Sequence, residues 1–427
     1  MKRLAVALVG VNTVGYRSLA LDYLQTSALA DPRLDIALTR FDVDVSLDAW
    51  WTAYRVLTLT PTPDVVALPV FCWTARHVFD ACRLVKAASP ETTIVVGGPE
   101  VGPIAEEVLA EQPSVDIVVR GEGEFTFPEI LHSISRGGDV GGIPGATARS
   151  GGRIVSGAEP KLLDELDMLA SPFTAGLPIA TDGSAYVETY RGCPHRCSYC
   201  FEGKGSSRIR SFSWERIESD INAVAALPGM TAFSFIDPVF NLTRDRLGRL
   251  SEILAPHAKR GVRLHTIEVD IERVDAEQAA LLVATGVVSV ESGPQTVGAA
   301  ALAECRRSFD PDRFAAGVEA CRAAGISVEC DLIVGLPGDT LEDVLDGIDF
   351  AISLDPGRVQ LSTLHVLPGT DLWERATELG LRFDREPPHE VISTPQLSYA
   401  DLRRLEVFGN AAAQTYQARL SLTPRSR

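Results

Sequence analysis

Short apolar runs recur through the first 135 residues, at 4–9, 34–39, 65–70, 93–96 and 117–119. Between them lie segments with amphipathic helical spacing, near 17–29, 46–58, 74–88, 101–111 and 124–135. A brief apolar run bounded by turn formers suits a strand buried on both faces. Five such strands alternating with five helices predict a parallel, doubly wound α/β sheet of the Rossmann or flavodoxin kind. Ligands of these sheets sit in loops at the carboxyl ends of the strands, which here read GVNTVG, FCWT, GGPEVG and RGEGE.

The alternation stops at RGGDVGGIPGATARSGGRIVSG, a glycine-rich stretch with one hairpin expected around Ser150–Gly152, followed by the strap KLLDELDMLASPF. It resumes near 184, with strands expected at 185–190, 232–236, 262–268, 287–290, 328–334 and 359–366. Helices are expected at 213–227, 243–258, 276–284, 311–324, 340–354 and 370–379. Six strand–helix repeats imply a barrel or open partial barrel with its chemistry at the strand C-terminal ends. The chain is therefore divided into a sheet domain at 1–140, a linker with hairpin at 141–180, a partial (β/α)6 barrel at 181–380 and a helical tail at 381–427.

Composition changes this picture little: 427 residues, 45% hydrophobic and 23% charged, suit two packed units. Charge narrows the partners. With 57 acidic against 40 basic residues and a formal charge of −17, the chain has no basic run beyond the Arg306–Arg307 and Arg403–Arg404 pairs, so no nucleic-acid partner is expected. The opening MKRLAVALVG is too short in its apolar part for a secretory signal, and no stretch of 18 apolar residues follows, so neither export nor a membrane span is expected. In the cytoplasm that this implies, clustered cysteines mean metal or catalysis rather than disulfides.

Three of the eight cysteines fall within eight residues, in 185-AYVETYRGCPHRCSYCFEG-203, directly after the first strand of the second unit. Three thiolates on one short loop can each ligate an iron of a cubane cluster, leaving a fourth iron open. Zinc is the main alternative, but its structural sites ordinarily use four ligands in two separated pairs, and no second Cys/His pair stands at that spacing. Cys72, Cys82, Cys305, Cys321 and Cys330 are scattered and read mainly as small buried hydrophobes.

The pattern C-x3-C-x-aromatic-C, here Cys193, Cys197, Tyr199 and Cys200, resembles the signature of the radical S-adenosylmethionine (SAM) superfamily. The resemblance implies a [4Fe–4S] cluster on Cys193, Cys197 and Cys200. It further implies SAM on the open iron, Tyr199 near the adenine, and a reductant such as flavodoxin or ferredoxin. By the same resemblance Asp237 in FSFIDPVFN, Glu268, Glu291 and Ser292 are polar contacts to SAM. Gly335 and Pro337 in 331-DLIVGLPGDT-340 match a fifth-strand element, and LHVLPGTDLW matches the closing sequence of the family.

The front sheet resembles the cobalamin-binding domain fused to one radical SAM subgroup, through 69-PVFCWTARHVFDACRLVK-86, 95-VVGGPEVG-102 and 116-DIVVRGEGEFTFPEIL-131. The cobalamin contacts this implies are Asn12, Gly15, Cys72, Trp73, Gly97, Gly98, Pro99, Glu100, Gly121, Glu122 and Gly123. The first loop lacks the histidine that other cobalamin domains offer to cobalt, and the nearest is His77, so base-off cobalamin without a histidine ligand from that motif is expected. The implied activity is a cobalamin-dependent C-methyltransferase acting on a small-molecule or peptide substrate. Its methyl passes from methylcobalamin to a carbon radical made by a 5′-deoxyadenosyl radical. Ring closure or rearrangement with the same cofactors, methylthio transfer, and a non-enzymatic cobalamin carrier are the alternatives.

Overall fold

The computed structural model describes residues 3–160, 162–202 and 208–422, with side chains through residue 420. Residue 161 at the head of the strap, residue 203 at the end of the cysteine segment and 423–427 of the tail lie outside the described residues. Two compact units emerge: Met1–Ala185 with Arg210–Pro228, and Tyr186–Ile209 with Gly229–Arg427.

The first unit alternates strand and helix: β1 (Leu4–Asn12), α1 (Leu19–Ala30), β2 (Ile36–Asp44), α2 (Ala49–Leu57), β3 (Val65–Pro69), α3 (Ala75–Ala88), β4 (Thr93–Gly97), α4 (Ala105–Glu111), β5 (Ile117–Val119) and α5 (Gly123–Ser135). The five strands are parallel in the order β2-β1-β3-β4-β5. Because successive strand residues point to opposite faces, one sequence feeds two cores. Leu4, Val6 and Leu8 cluster with Leu21 of α1 and Phe127, Ile130 and Leu131 of α5. Ala7, Val9 and Val11 cluster with Ala53 and Val56 of α2 and Val78, Cys82 and Val85 of α3. A doubly wound sheet is the outcome, as its apolar runs predict.

The glycine-rich stretch expected as a linker turns out to extend this sheet. Antiparallel β6 (Ala146–Ser150) and β7 (Arg153–Ser156) add beyond β5, joined by Gly151 and Gly152, both with positive φ (55° and 77°). Small residues hid the strand: Ala146 and Ala148 are fully buried, yet carry little apolar signal in sequence.

β8 (Ser184–Val187) spans the boundary between units, and β9 (Tyr190–Arg191) follows in the second. The chain then returns to the first unit for β10 (Arg210–Ser211) and α6 (Trp214–Ala225). Periodicity assigns α6 to the barrel, but its polar bonds tie it to the strap. Ser171 Oγ donates to Asp220 (2.6 Å), Arg216 donates to the Leu169 carbonyl (2.6 Å), and the Ser213 amide donates to Asp167 (3.0 Å).

The rest of the second unit runs β11 (Ala232–Phe235), α7 (Arg244–Lys259), β12 (Arg263–Leu264), β13 (Ile267–Glu268), α8 (Ala276–Ala284), β14 (Ser289–Gln295), α9 (Ala299–Glu304), α10 (Pro311–Ala323), β15 (Ser327–Val334), α11 (Leu341–Ser353), β16 (Arg358–Thr363), α12 (Asp371–Arg375), β17 (Arg382–Phe383), β18 (Val391–Ser393) and α13 (Tyr399–Leu422). The single strand expected at 262–268 is two: β12 pairs with β11, and β13 opens the parallel sheet β13-β14-β15-β16. A bridge between Leu264 and Val287 carries the curve across the break. The strand β10, the short helix α9 and the antiparallel pair β17–β18 were not foreseen in the sequence.

The turn after β4 generates a contrast that mutagenesis resolves. Gly98 has φ +112°, and a Cβ there would stand 2.7 Å from the Val70 carbonyl oxygen, whereas one at Gly97 would meet nothing nearer than 3.4 Å. Gly98→Ala is expected to destabilise the protein by about 1–3 kcal/mol and Gly97→Ala by clearly less, as read by thermal unfolding.

Candidate active site

The loop bearing the three cysteines is held from both ends by buried polar bonds. At its start the Thr189 amide donates to Asp237 (2.8 Å), and the Thr189 hydroxyl bonds the same carboxylate. Arg246 donates to the Thr189 hydroxyl and lies 5.0 Å over the Tyr190 ring. The Tyr190 hydroxyl donates to the Val239 carbonyl (2.9 Å) and accepts from the Val239 amide (2.8 Å). Asp237 is 2% exposed, and burial raises its carboxyl to about 6 against the opposing pull of Thr189 and Arg246. Gly192 turns with φ +99°, and any Cβ there would press to 2.9 Å from the Arg208 carbonyl oxygen. At the far end, Ser198 is fully buried. Its amide donates to the Cys305 carbonyl (3.0 Å), its hydroxyl to the Glu304 carbonyl (3.1 Å), and its own carbonyl accepts from the Leu372 amide (3.0 Å).

All three thiols are free of disulfides. Cys200 Sγ accepts from the Glu202 amide (3.4 Å), Cys193 accepts from the backbone of His195, and Cys197 Sγ accepts from Arg307 (3.6 Å). Burial pushes the Cys193 thiol up to about 11 and Cys200 up to about 12, a cost that positive metal would reverse. Among the described residues no three Cys, His, Asp or Glu side chains converge on one point as a single zinc would need. A cubane asks for something different, since each sulfur takes its own iron, and the soft donor set with amide and guanidinium donors on its sulfurs fits that group.

Beside the loop lies a pocket of about 200 Å³ at the C-terminal ends of β13 to β15, lined among others by Pro238, Glu268, Asp270, Glu291, Ser292 and Asp331. Strand register places Glu268 opposite Glu291, with Asp331 one pleat further along β15. β14 bulges between Ser292 and Gln295, and Gln295 takes a left-handed backbone (φ 65°) where it lines the pocket. Gly293 permits the close approach, for a Cβ there would sit 2.3 Å from the Asp331 carbonyl oxygen. Burial and the neighbouring Glu291 and Glu202 raise Glu268 to about 7. Burial, then the charge of Glu291 and a bond to its carboxyl, holds Asp331 well above the ordinary carboxylate range. Asp331 Oδ1 is buried without a hydrogen-bond partner among the described residues. A cationic sulfonium and ammonium ligand such as SAM would answer both the orphaned oxygen and the crowded acids.

The remaining expected contacts are distributed unevenly. Glu268, Glu291 and Ser292 line the pocket; Asp237 does not, its carboxylate being committed to Thr189 and Arg246 behind it. Gly335 is buried under Val391 and Leu402, Pro337 is buried too, and both shape the turn after β15. Tyr199 presents its hydroxyl to Arg307 at 3.5 Å. Arg307, Asp331 and Gln295 were missed in the sequence. Alternation along β15 with Glu329 could have flagged Asp331, whereas Arg307 lies after an unforeseen helix.

In the first unit, the loops after neighbouring β1 and β3 leave apolar groups uncovered: Val14 is 77% and Trp73 66% exposed, with Trp73 stacked on Phe71 (4.8 Å, 10°). Gly15 turns with φ +91° in the same loop as Asn12, whose amide donates to Asp42 (2.7 Å). Cys72 is raised to about 11 by burial and Glu100, so it is a neutral thiol. Gly97, Gly98, Pro99 and the buried Glu100 form the turn after β4. After β5, Gly121 has φ +66° and Gly123 packs on Leu24, while Glu122 pairs in two-pronged fashion with Arg210 (2.6 and 3.0 Å). His77 Nε2 is bonded to Thr52 on α2 (2.7 Å). A glycine-framed rim carrying an exposed indole fits a broad, flat macrocycle such as a corrin.

Comparison with known proteins agrees with this division. Residues 187–351 match the Radical SAM superfamily and 39–131 the B12 binding domain. An uncharacterized methyltransferase of Pyrococcus horikoshii is 26% identical over 74% of this chain and 69% of its own length. The cobalamin-dependent radical SAM methyltransferase TokK of Streptomyces tokunonensis is 29% identical over 88% of this chain, which spans only 58% of TokK. The radical SAM methyltransferase TsrM of Kitasatospora setae, solved with cobalamin and a [4Fe–4S] cluster bound, shares the fold with a TM-score of 0.72 at 21% identity, covering 95% of this chain and 82% of TsrM. A [4Fe–4S] cluster, SAM and cobalamin are the cofactors that go with this pair of domains.

Replacing Cys193, Cys197 or Cys200 by Ala is expected to cut iron from about four per chain to near zero after anaerobic reconstitution. Cys321→Ala, remote in a buried helix, is expected to leave iron and sulfide content unchanged. The raised Asp331 carboxyl means the folded chain keeps a proton that the unfolded chain, near the ordinary value of 3.8, releases. Stability of the cofactor-free protein therefore falls as pH climbs from 3.8 to the raised value of the folded state, and Asp331→Asn flattens that fall in melting-temperature profiles.

Proposed function

We propose, from the premise that this chain joins a radical SAM domain to a B12-binding domain and is related to cobalamin-dependent radical SAM methyltransferases, that it methylates an unactivated carbon of a small-molecule or peptide substrate. The observation that carries the reading is the pinned cysteine loop opening beside an acidic pocket, in a chain whose other unit presents an exposed indole on a glycine-framed sheet end.

When bound, the cluster and SAM supply a carbon-centred radical by reductive cleavage, and cobalamin supplies the methyl group. The chain's own residues bind and exclude. Cys193, Cys197 and Cys200 are the cluster ligands, and the bonds of Thr189 and Ser198 fix where the loop holds them. Glu268, Glu291 and Asp331 are the acceptors for the ammonium and hydroxyl groups of SAM, and gathering them in a partly buried pocket strengthens each contact over its value in water. Pro238, Ile271 and Phe314 supply the apolar part of that wall and keep water from the reacting carbon. Trp73 is placed in this reading against a corrin face, and His77, committed to Thr52, is no cobalt ligand.

Anaerobic protein loaded with cluster and cobalamin, given SAM, a strong reductant and a methyl-accepting substrate, is expected to yield S-adenosylhomocysteine and 5′-deoxyadenosine in about equal amounts, because one SAM donates the methyl and another the radical. Chromatographic quantitation of both products checks this. 5′-Deoxyadenosine forming without S-adenosylhomocysteine would overturn methyl transfer and leave a ring closure or rearrangement.

A further inference from the structure

One side chain joins the cysteine loop to the pocket. Arg307, reached by the chain just after α9, donates from Nη1 to Cys197 Sγ (3.6 Å) and to the Tyr199 hydroxyl (3.5 Å), and from Nη2 to the Gly293 carbonyl at the bulge of β14. Its Nε is buried with no hydrogen-bond partner among the described residues. Among the described residues five carboxyl side chains line the pocket, Glu268, Asp270, Glu272, Glu291 and Asp331, against two basic ones, Arg307 and His195. His195 faces Asp270 at 3.7 Å, whereas a guanidinium keeps its charge at any pH a protein meets. Among the described residues of this lining Arg307 is thus the permanent cation, and its charge is directed at one sulfur.

We infer that Arg307 is a positioning residue that sets the electron affinity of the cluster, through its charge-assisted bond to the Cys197 thiolate. The inference rests on the cluster seat proposed above. Accepting an electron adds negative charge to a centre already ringed by thiolates and faced by carboxylates. A guanidinium held at a ligand sulfur stabilises the added charge and raises the reduction potential. The geometry is adapted to this: the fork is fixed on the far side by Gly293, so the cation cannot turn away toward the more numerous acids.

The test is an anaerobic redox titration of the full-length chain without SAM, followed by electron paramagnetic resonance, on the parent, Arg307→Gln and Arg307→Lys, with iron and sulfide measured on each. Arg307→Gln is expected to keep its cluster and lower the potential by at least a tenfold change in the one-electron equilibrium constant, about 59 mV. Arg307→Lys, which keeps the charge, is expected to recover more than half of that loss. An unshifted Arg307→Gln, an Arg307→Lys as low as Arg307→Gln, or failure of both variants to hold iron would overturn the inference, the last by making Arg307 a residue of loop folding. A parent chain that takes up no cluster would instead sink the seat itself, which separates the two readings.

Discussion

A carboxylate with almost no access to water sits behind the cysteine loop, and the rest of the site depends on it. Asp237 receives the backbone amide and the hydroxyl of Thr189, four residues before Cys193, while Arg246 closes the far side. Breaking one member of such a buried set leaves an uncompensated charge, a loss of about 3–5 kcal/mol, so the arrangement is stiff. Stiffness is what a short loop with three soft ligands needs, because cysteine side chains have one useful torsion each and cannot correct a misplaced backbone. The loop's other anchor, Ser198, achieves with three neutral bonds what Asp237 achieves with charge.

The pocket follows from parallel pairing. In-register strands put residues of like position side by side, so acids at successive strand ends become neighbours: Glu268 beside Glu291, and Asp331 within a bond of Glu291. Like charges so close cannot all ionise, and protons are retained until a cation arrives. The crowding is therefore a store of affinity for positive ligands, balanced at the sulfur end by the guanidinium of Arg307.

Much of this was legible in the residues. Apolar runs and their spacing marked the five parallel strands of the first sheet, most plainly β1, β3, β4 and β5, where burial on both faces leaves little room for polar interruption; β2, with Thr39, Arg40 and Asp42, is only half-buried. The C-x3-C-x-x-C spacing marked the cysteine loop proposed to seat the cluster, because that spacing is local in the chain. Glu268 and Glu291 were legible as acids at strand ends. What escaped was non-local. Asp237 stands at a strand end like the others, yet its direction is set by Thr189 across the sheet, which no spacing within 232–241 reveals. Arg307 acts through partners 14 and about a hundred residues away in the chain. The hairpin around Ser150–Gly152 was expected, but not its addition to the edge of the first sheet, because alanines pack where the pattern looks for valines.

The return of the chain to its first unit has a practical corollary for anyone who would take the protein apart. Residues 210–228 belong with 1–185, so the segment bearing the cysteines, 186–209, is an excursion tethered at both ends to the front unit's own polypeptide. A gene cut at the apparent hinge near 185 would strip away α6 and orphan Ser171, Asp167 and the Leu169 carbonyl at once. The two halves are entwined by connectivity, and shuffling them between relatives calls for two crossovers rather than one.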